Sequence, residues 1–174
     1  MRSKLVTIAL WFVSRMNDQG IKRVMVPFVR VLPNLYIGPQ LNARGWRYLN
    51  EQHGVNSIVN LRVEADDRDR GVTPEHYLWL PTIDHTSPTV EQLQEAAAFI
   101  HDRIEAGDTV YVHCAAGVGR APLTAAAYMV SQGLTPEEAR ELIKSRRPFI
   151  NQSSSQRSRL VEFASRLETI PNDR

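Results

Sequence analysis

The chain has one cysteine, Cys114, among 174 residues. That excludes an intrachain disulfide and a cysteine-cluster zinc site, so Cys114 is either apolar filler or chemistry. Long hydrophobic runs are also scarce: the apolar stretch Leu5 to Val13 is nine residues, far short of the roughly 20 that cross a bilayer. Charge of one sign is not in excess, with 21 Lys/Arg against 19 Asp/Glu and a formal net charge of +2. Binding to nucleic acid through bulk positive charge is therefore not expected. Repeats and low-complexity tracts are absent as well. What remains is an ordinary globular composition, 43% hydrophobic and 23% charged, at a length that suits one core.

The small net charge hides an uneven distribution. Residues 1–30 carry six Lys/Arg and only Asp18 as an acid, residues 31–139 are acidic, and residues 140–174 are basic again. The chain therefore divides into a basic and apolar N-terminal segment, residues 1–28, and a folded domain over residues 29–170. For the segment three readings stay open: a helix packed on the domain or on another copy, an interfacial helix on anionic lipid through residues 1–20, or a cleaved targeting peptide. The expected placement is cytoplasmic, with membrane association kept open by those basic flanks.

Along the domain, strands alternate with helices. Val29 to Gly38 reads as an edge strand or two short ones, broken by Pro33; a helix over 41–52 precedes a buried strand at Val55 to Leu61. Glu64 to Arg70 (EADDRDR) reads as a solvated loop. Tyr77 to Leu80 is a short strand, followed by the loop Pro81 to Pro88. Thr89 with Gln92 forms a capping box for a helix ending at Gly107, and Thr135-Pro136-Glu137-Glu138 signals another helix start. Val110 to His113 is a strand, Leu123 to Val130 is helical, and Ser153 to Gln156 opens the last helix. This order predicts an α/β fold, a central mostly parallel sheet flanked by helices.

The informative segment is Val112-His113-Cys114-Ala115-Ala116-Gly117-Val118-Gly119-Arg120, where a strand ends at a cysteine and a helix follows. Successive backbone N–H groups of such a loop can point inward, and the helix N-terminus adds partial positive charge. Residues Ala115, Ala116, Gly117, Val118 and Gly119 thus form a candidate phosphate cradle, with Gly117 and Gly119 permitting close approach. Arg120 can grip two oxygens of a phosphoryl group with its planar fork. A cysteine at the floor of the cradle is favoured as thiolate and can attack phosphorus to give a phosphocysteine. Backbone amides and the arginine supply the charge stabilisation, so no metal and no cofactor is expected.

His-Cys-x-x-Gly-x-Gly-Arg at 113–120 resembles the signature loop of the cysteine-dependent protein tyrosine phosphatase superfamily. Spacing and chain length resemble its dual-specificity branch over about residues 30–168. The resemblance implies a dual-specificity phosphatase-like fold and a phosphomonoester hydrolase acting on phosphorylated protein. The acid loop, with Pro-Thr-x-Asp at 81–84, and Tyr128 resemble the phosphatidylglycerophosphate phosphatase branch, which keeps a phospholipid substrate as the alternative. By the same resemblance Asp84, 30 residues before Cys114, is the general acid that protonates the leaving group. Asp66, Asp67 and Asp69 are set aside as part of the solvated run. His113 is implied as support for the loop, while Asn151 and Gln156 fall where relatives carry groups that position the hydrolytic water. Gln156 also fits a Ser153-x-x-Gln156 capping box, and both roles stay open.

One position departs from the pattern. Relatives usually carry Ser or Thr directly after the arginine; this chain has Ala121, as in the Gly-x-Gly-Arg-Ala-Pro of the phosphatases of regenerating liver. Slow turnover, or a weakly active phosphate- or partner-binding protein, is the further reading this raises.

Overall fold

The computed structural model describes residues 28–169. The expected N-terminal segment, with its membrane contact, lies outside the described residues except for Phe28.

The order is β1 (Val29–Leu32), β2 (Leu35–Pro39), α1 (Ala43–His53), β3 (Val55–Arg62), a 3-10 turn (Arg68–Arg70), β4 (His76–Thr82), α2 (Val90–Glu105), β5 (Thr109–Cys114), α3 (Arg120–Ser131), α4 (Pro136–Arg146) and α5 (Ser154–Thr169). The five strands form one sheet in the order β1-β2-β5-β3-β4. Only β1 pairs antiparallel; β2, β5, β3 and β4 run parallel. The mostly parallel sheet flanked by helices is therefore as expected.

Alternation along β5 divides the core in two. Val110, Val112 and Cys114 face a large cluster with Leu93, Ile100, Leu123, Ile143, Leu160 and Phe163 from α2, α3, α4 and α5. Tyr111 faces the opposite side, against Trp46, Leu49, Val55 and Ile58 around α1. The period of two thus turns the nucleophile candidate toward one helical layer and its neighbour His113 toward the other.

Local chemistry explains the helix starts. Both capping boxes form: Thr89 accepts from the Gln92 N–H and Thr135 from the Glu138 N–H, with the N3 side chains answering in return. Asn42 caps α1 by accepting from Gly45 N–H, and Gly54 ends that helix at φ 65°, a conformation glycine adopts without strain.

The Val29 to Gly38 segment is two short strands, one of the two readings given for it. The edge position belongs to β1 alone; β2 is interior and pairs with β5 from Leu35↔Val110 to Pro39↔Cys114. Pro33 sits in the hairpin turn between β1 and β2, where its missing N–H costs nothing. The run Glu64 to Arg70 corrects an expectation: it is not uniformly solvated, because Asp67 is 1% exposed. The charge of its neighbours suggests solvent, but a buried partner on β5, His113, draws it in.

Candidate active site

The parallel strands β2, β5, β3 and β4 end along one side of the sheet, the usual place for a ligand crevice in an α/β fold. A cleft of about 380 Å3 opens there, lined by Asp84, His85, Cys114, the loop residues Ala115, Ala116, Val118 and Gly119, then Arg120, Asn151, Ser153 and Gln156. Cys114 at the end of β5, Arg120 at the start of α3 and Asp84 in the loop after β4 thus line one cleft.

The loop 115–119 is held from outside by its carbonyl groups. Ala115 O accepts from Gln40 N at 3.2 Å, and Val118 O accepts from Asn151 N at 2.8 Å. Between them, the Arg147 guanidinium donates to Ala116 O at 3.2 Å and to Gly117 O at 2.8 Å. In a trans peptide the C=O of one residue and the N–H of the next point in opposite directions. Tying four consecutive carbonyls outward therefore turns the N–H groups of Ala116, Gly117, Val118 and Gly119 the other way, and one of them, Gly117 N–H, reaches Cys114 Sγ at 3.3 Å. The result is a row of donors suited to a tetrahedral oxyanion.

Gly117 is required here. Its φ is 67°, and a Cβ at that position would lie 2.3 Å from Gly38 C. Loop and β2 meet backbone to backbone, which only glycine permits.

Arg120 opens α3 and is 1% exposed. Its Nη1 donates to Thr82 O at 2.6 Å and Leu61 O at 3.2 Å, at the ends of β4 and β3. Nη2 lies 2.8 Å from Asp84 Oδ1 as an ion pair. No other acceptor partners Nη2 among the described residues. A buried guanidinium edge that lines the cleft and already holds one carboxylate oxygen suits an incoming anion. Glu64 adds a weaker contact to Nη1 at 3.9 Å.

Asp84 is held in its loop by its own neighbour: Oδ1 accepts from His85 N at 3.0 Å. His85 adopts φ 63°, an uncommon conformation for a non-glycine residue, and its side chain is 88% exposed. Gln156, 3% exposed, performs the capping-box role: Oε1 accepts from Ser153 N at 3.0 Å and Ser153 Oγ accepts from Gln156 N at 3.1 Å. Its Nε2 then donates to Thr86 O in the acid loop at 2.9 Å.

His113 is completely buried, with Nε2 2.6 Å from Asp67 Oδ2. Asp67 and Arg147 are the two residues at this site that sequence reasoning missed. Their signals are weak: Asp67 is one of three aspartates in a charged run, and Arg147 is the second of two adjacent arginines. Burial shifts two groups nearby: the Tyr111 hydroxyl is pushed well above its ordinary value, and desolvation lowers Arg147, opposed by the nearby Tyr111 and Cys114. Among the described residues no group of three or more His, Cys, Asp or Glu is arranged to hold a metal ion.

Comparison with known proteins agrees with this geometry. The family model for the dual specificity phosphatase catalytic domain matches residues 35–166. Dual specificity protein phosphatase 5 of Rattus norvegicus is 33% identical over 146 residues, covering 83% of this chain and 37% of that protein. Phosphatidylglycerophosphate phosphatase PTPMT1 of Arabidopsis thaliana is 36% identical over 78 residues, 44% of this chain and 23% of that protein. A crystal structure of PTPMT1 superposes with a TM-score of 0.71 at 26% identity, covering 82% of this chain and 96% of that one. The chain spans well under half the length of these curated relatives. A matched domain over most of the chain, on a loop built to hold a tetrahedral anion above a cysteine, places this chain in the dual specificity phosphatase catalytic-domain family.

Proposed function

We propose that the chain hydrolyses phosphomonoesters of proteins, phosphotyrosine and phosphoserine/threonine, through a phosphocysteine intermediate. The observation that carries this is the loop itself, in which four carbonyls are tied outward around Cys114 while Arg120 lines the same cleft. In the first step Cys114 Sγ attacks phosphorus, the P–O ester bond breaks, and Asp84 gives its proton to the departing oxygen. In the second step water attacks phosphorus, its proton goes to the Asp84 carboxylate, the S–P bond breaks, and inorganic phosphate leaves. The loop amides and Arg120 stabilise the equatorial oxygens in both steps. No metal or other cofactor enters this scheme.

A phospholipid phosphomonoester is the second reading. The likeness to PTPMT1, a phosphatidylglycerophosphate phosphatase in Arabidopsis thaliana, favours it. Among the described residues the cleft lining offers only Arg120 and His85 as basic side chains, which suits one phosphate rather than several in either reading. A cytoplasmic placement with peripheral membrane contact through residues 1–20 belongs to this proposal and rests on the basic flanks of the Leu5 to Val13 run.

The test is turnover of an aryl phosphate, a phosphopeptide and phosphatidylglycerophosphate in vesicles. Cys114→Ser is expected to abolish all turnover. Asp84→Asn should slow substrates with poor leaving groups by about a hundredfold or more, the range of general acid catalysis, and aryl phosphates with good leaving groups much less. Preference for vesicles over phosphopeptide would select the lipid reading. An inactive unmutated chain would remove both.

A further inference from the structure

The mechanism uses the front of the signature loop; behind it lies a buried pair of ionisable groups that the mechanism does not use. Asp67 and His113 are 46 positions apart, 1% and 0% exposed, and 2.6 Å from each other. Buried carboxylates and imidazoles are costly unless each satisfies the other. Asp67 Oδ1 has no hydrogen-bond partner, so the side chain has His113 as its one hydrogen-bonded anchor. The backbone fixes it there: Asp67 N donates to Tyr77 Oη at 3.1 Å, and Asp67 O accepts from Arg70 N at 2.9 Å and Val72 N at 3.1 Å. Asn60 on β3, in register with His113, donates to the same Tyr77 oxygen at 2.9 Å. The whole loop is thus shaped to deliver one carboxylate to one imidazole.

The far side of the ring faces the nucleophile. His113 Nδ1 is 3.4 Å from the carbonyl oxygen of Cys114, a long contact but one between a ring nitrogen and an acceptor. With a carboxylate on Nε2 and a carbonyl on Nδ1, both nitrogens face acceptors, and both contacts are satisfied when each nitrogen carries a proton. We propose that Asp67 is a positioning residue for the nucleophile: it holds His113 doubly protonated, so that the imidazolium clamps the Cys114 carbonyl and sets positive charge behind the thiolate. The assignment rests on the reading of Cys114 as nucleophile, not on which phosphoester is cleaved.

Other groups surround the pair. Tyr111 on β5 stacks on His113 at 5.7 Å between ring centroids. Tyr77 on β4 touches the Asp67 backbone, and its hydroxyl donates to Asp66 at 2.9 Å. Burial pushes the Tyr77 hydroxyl up to about 12 and that of Tyr111 well above its ordinary value, so both stay neutral below pH 9. Among the described residues the charged neighbours also include Cys114 itself, Arg147, whose guanidinium bonds the loop carbonyls, Arg70, whose N–H bonds the Asp67 carbonyl, and Arg68, which lies over the Tyr77 ring and pairs with Asp66.

Asp67→Asn keeps an acceptor for Nε2–H and removes the charge, so the proton on Nδ1 is lost. Cys114 is the chain's only thiol, and its alkylation by iodoacetamide reports thiolate without any substrate. The expected result is a pH profile of alkylation displaced upward by about one unit in Asp67→Asn, or about tenfold slower alkylation below the midpoint. Superimposable profiles in a variant that still melts cooperatively would overturn the proposal. In the unaltered chain, nitrogen NMR of His113 at pH 7 is expected to show both ring nitrogens protonated, and a neutral single tautomer would overturn it independently if the variant does not fold. Neither readout requires turnover, so failure of the phosphatase reading and failure of this one are separate results.

Discussion

Ala121 is completely buried directly after Arg120, in the first turn of α3. Cys114 Sγ accepts one hydrogen bond among the described residues, from Gly117 N–H, and a methyl at 121 supplies none. A hydroxyl there would stabilise the departing thiolate of the second step by about 1.5–3 kcal/mol, or about ten- to hundredfold in rate. Ala121→Ser is therefore expected to raise steady-state turnover while leaving the initial burst of released alcohol unchanged. Rapid-quench measurement of burst and steady state checks this, and equal steady-state rates would count against it. Cys114, Arg120 and the loop glycines were legible because their relation lies within nine consecutive residues. Asp67 and Arg147 were not, because each acts on a partner 46 or 30 positions away, and no local pattern separates Asp67 from Asp66 and Asp69. Only the burial of His113 calls for a buried carboxylate, and burial is a property of the assembled sheet.

The acid loop is tied to α5 by two contacts, Gln156 Nε2 to Thr86 O at 2.9 Å and Ser87 Oγ to Ser155 Oγ at 3.1 Å. Both polar atoms of the Gln156 amide are engaged, one in the cap and one in the loop, so its place in the structure is to connect the helix start to the segment carrying Asp84. Gln156→Ala should accordingly lower turnover of phosphates with poor leaving groups by about tenfold, a fraction of the full contribution of a general acid, with little effect on good leaving groups. Comparing an alkyl with an activated aryl phosphate tests this; an equal loss on both, with accumulation of phosphocysteine, would point instead to placement of the hydrolytic water. The capped helices α2 and α4 were readable from four-residue signals, since a capping box is a local bargain between side chain and backbone. The interior position of β2 was not, because strand order depends on pairings distant in sequence, and a proline-broken hydrophobic stretch looks like an edge.

The sheet and the loop behind it also set how stability depends on pH. Burial raises the Tyr77 hydroxyl from 10.0 to about 12, and Tyr111 shifts in the same direction. A group whose value is raised on folding contributes its full stabilisation below the unfolded value, and that contribution is lost as pH rises through the folded one. Thermal midpoints should therefore fall between pH 10 and about 12, and Tyr77→Phe should flatten part of that decline; an unchanged slope would show that Tyr77 does not carry it. No helix among the described residues is long and apolar enough to cross a membrane. The strands place the chain's one cysteine at the floor of the cleft, and this has a practical consequence. On the proposed mechanism, counting thiols counts active sites: the reactive thiol per chain would be the competent fraction of a preparation, and any label attached through sulfur would mark a molecule that can no longer turn over.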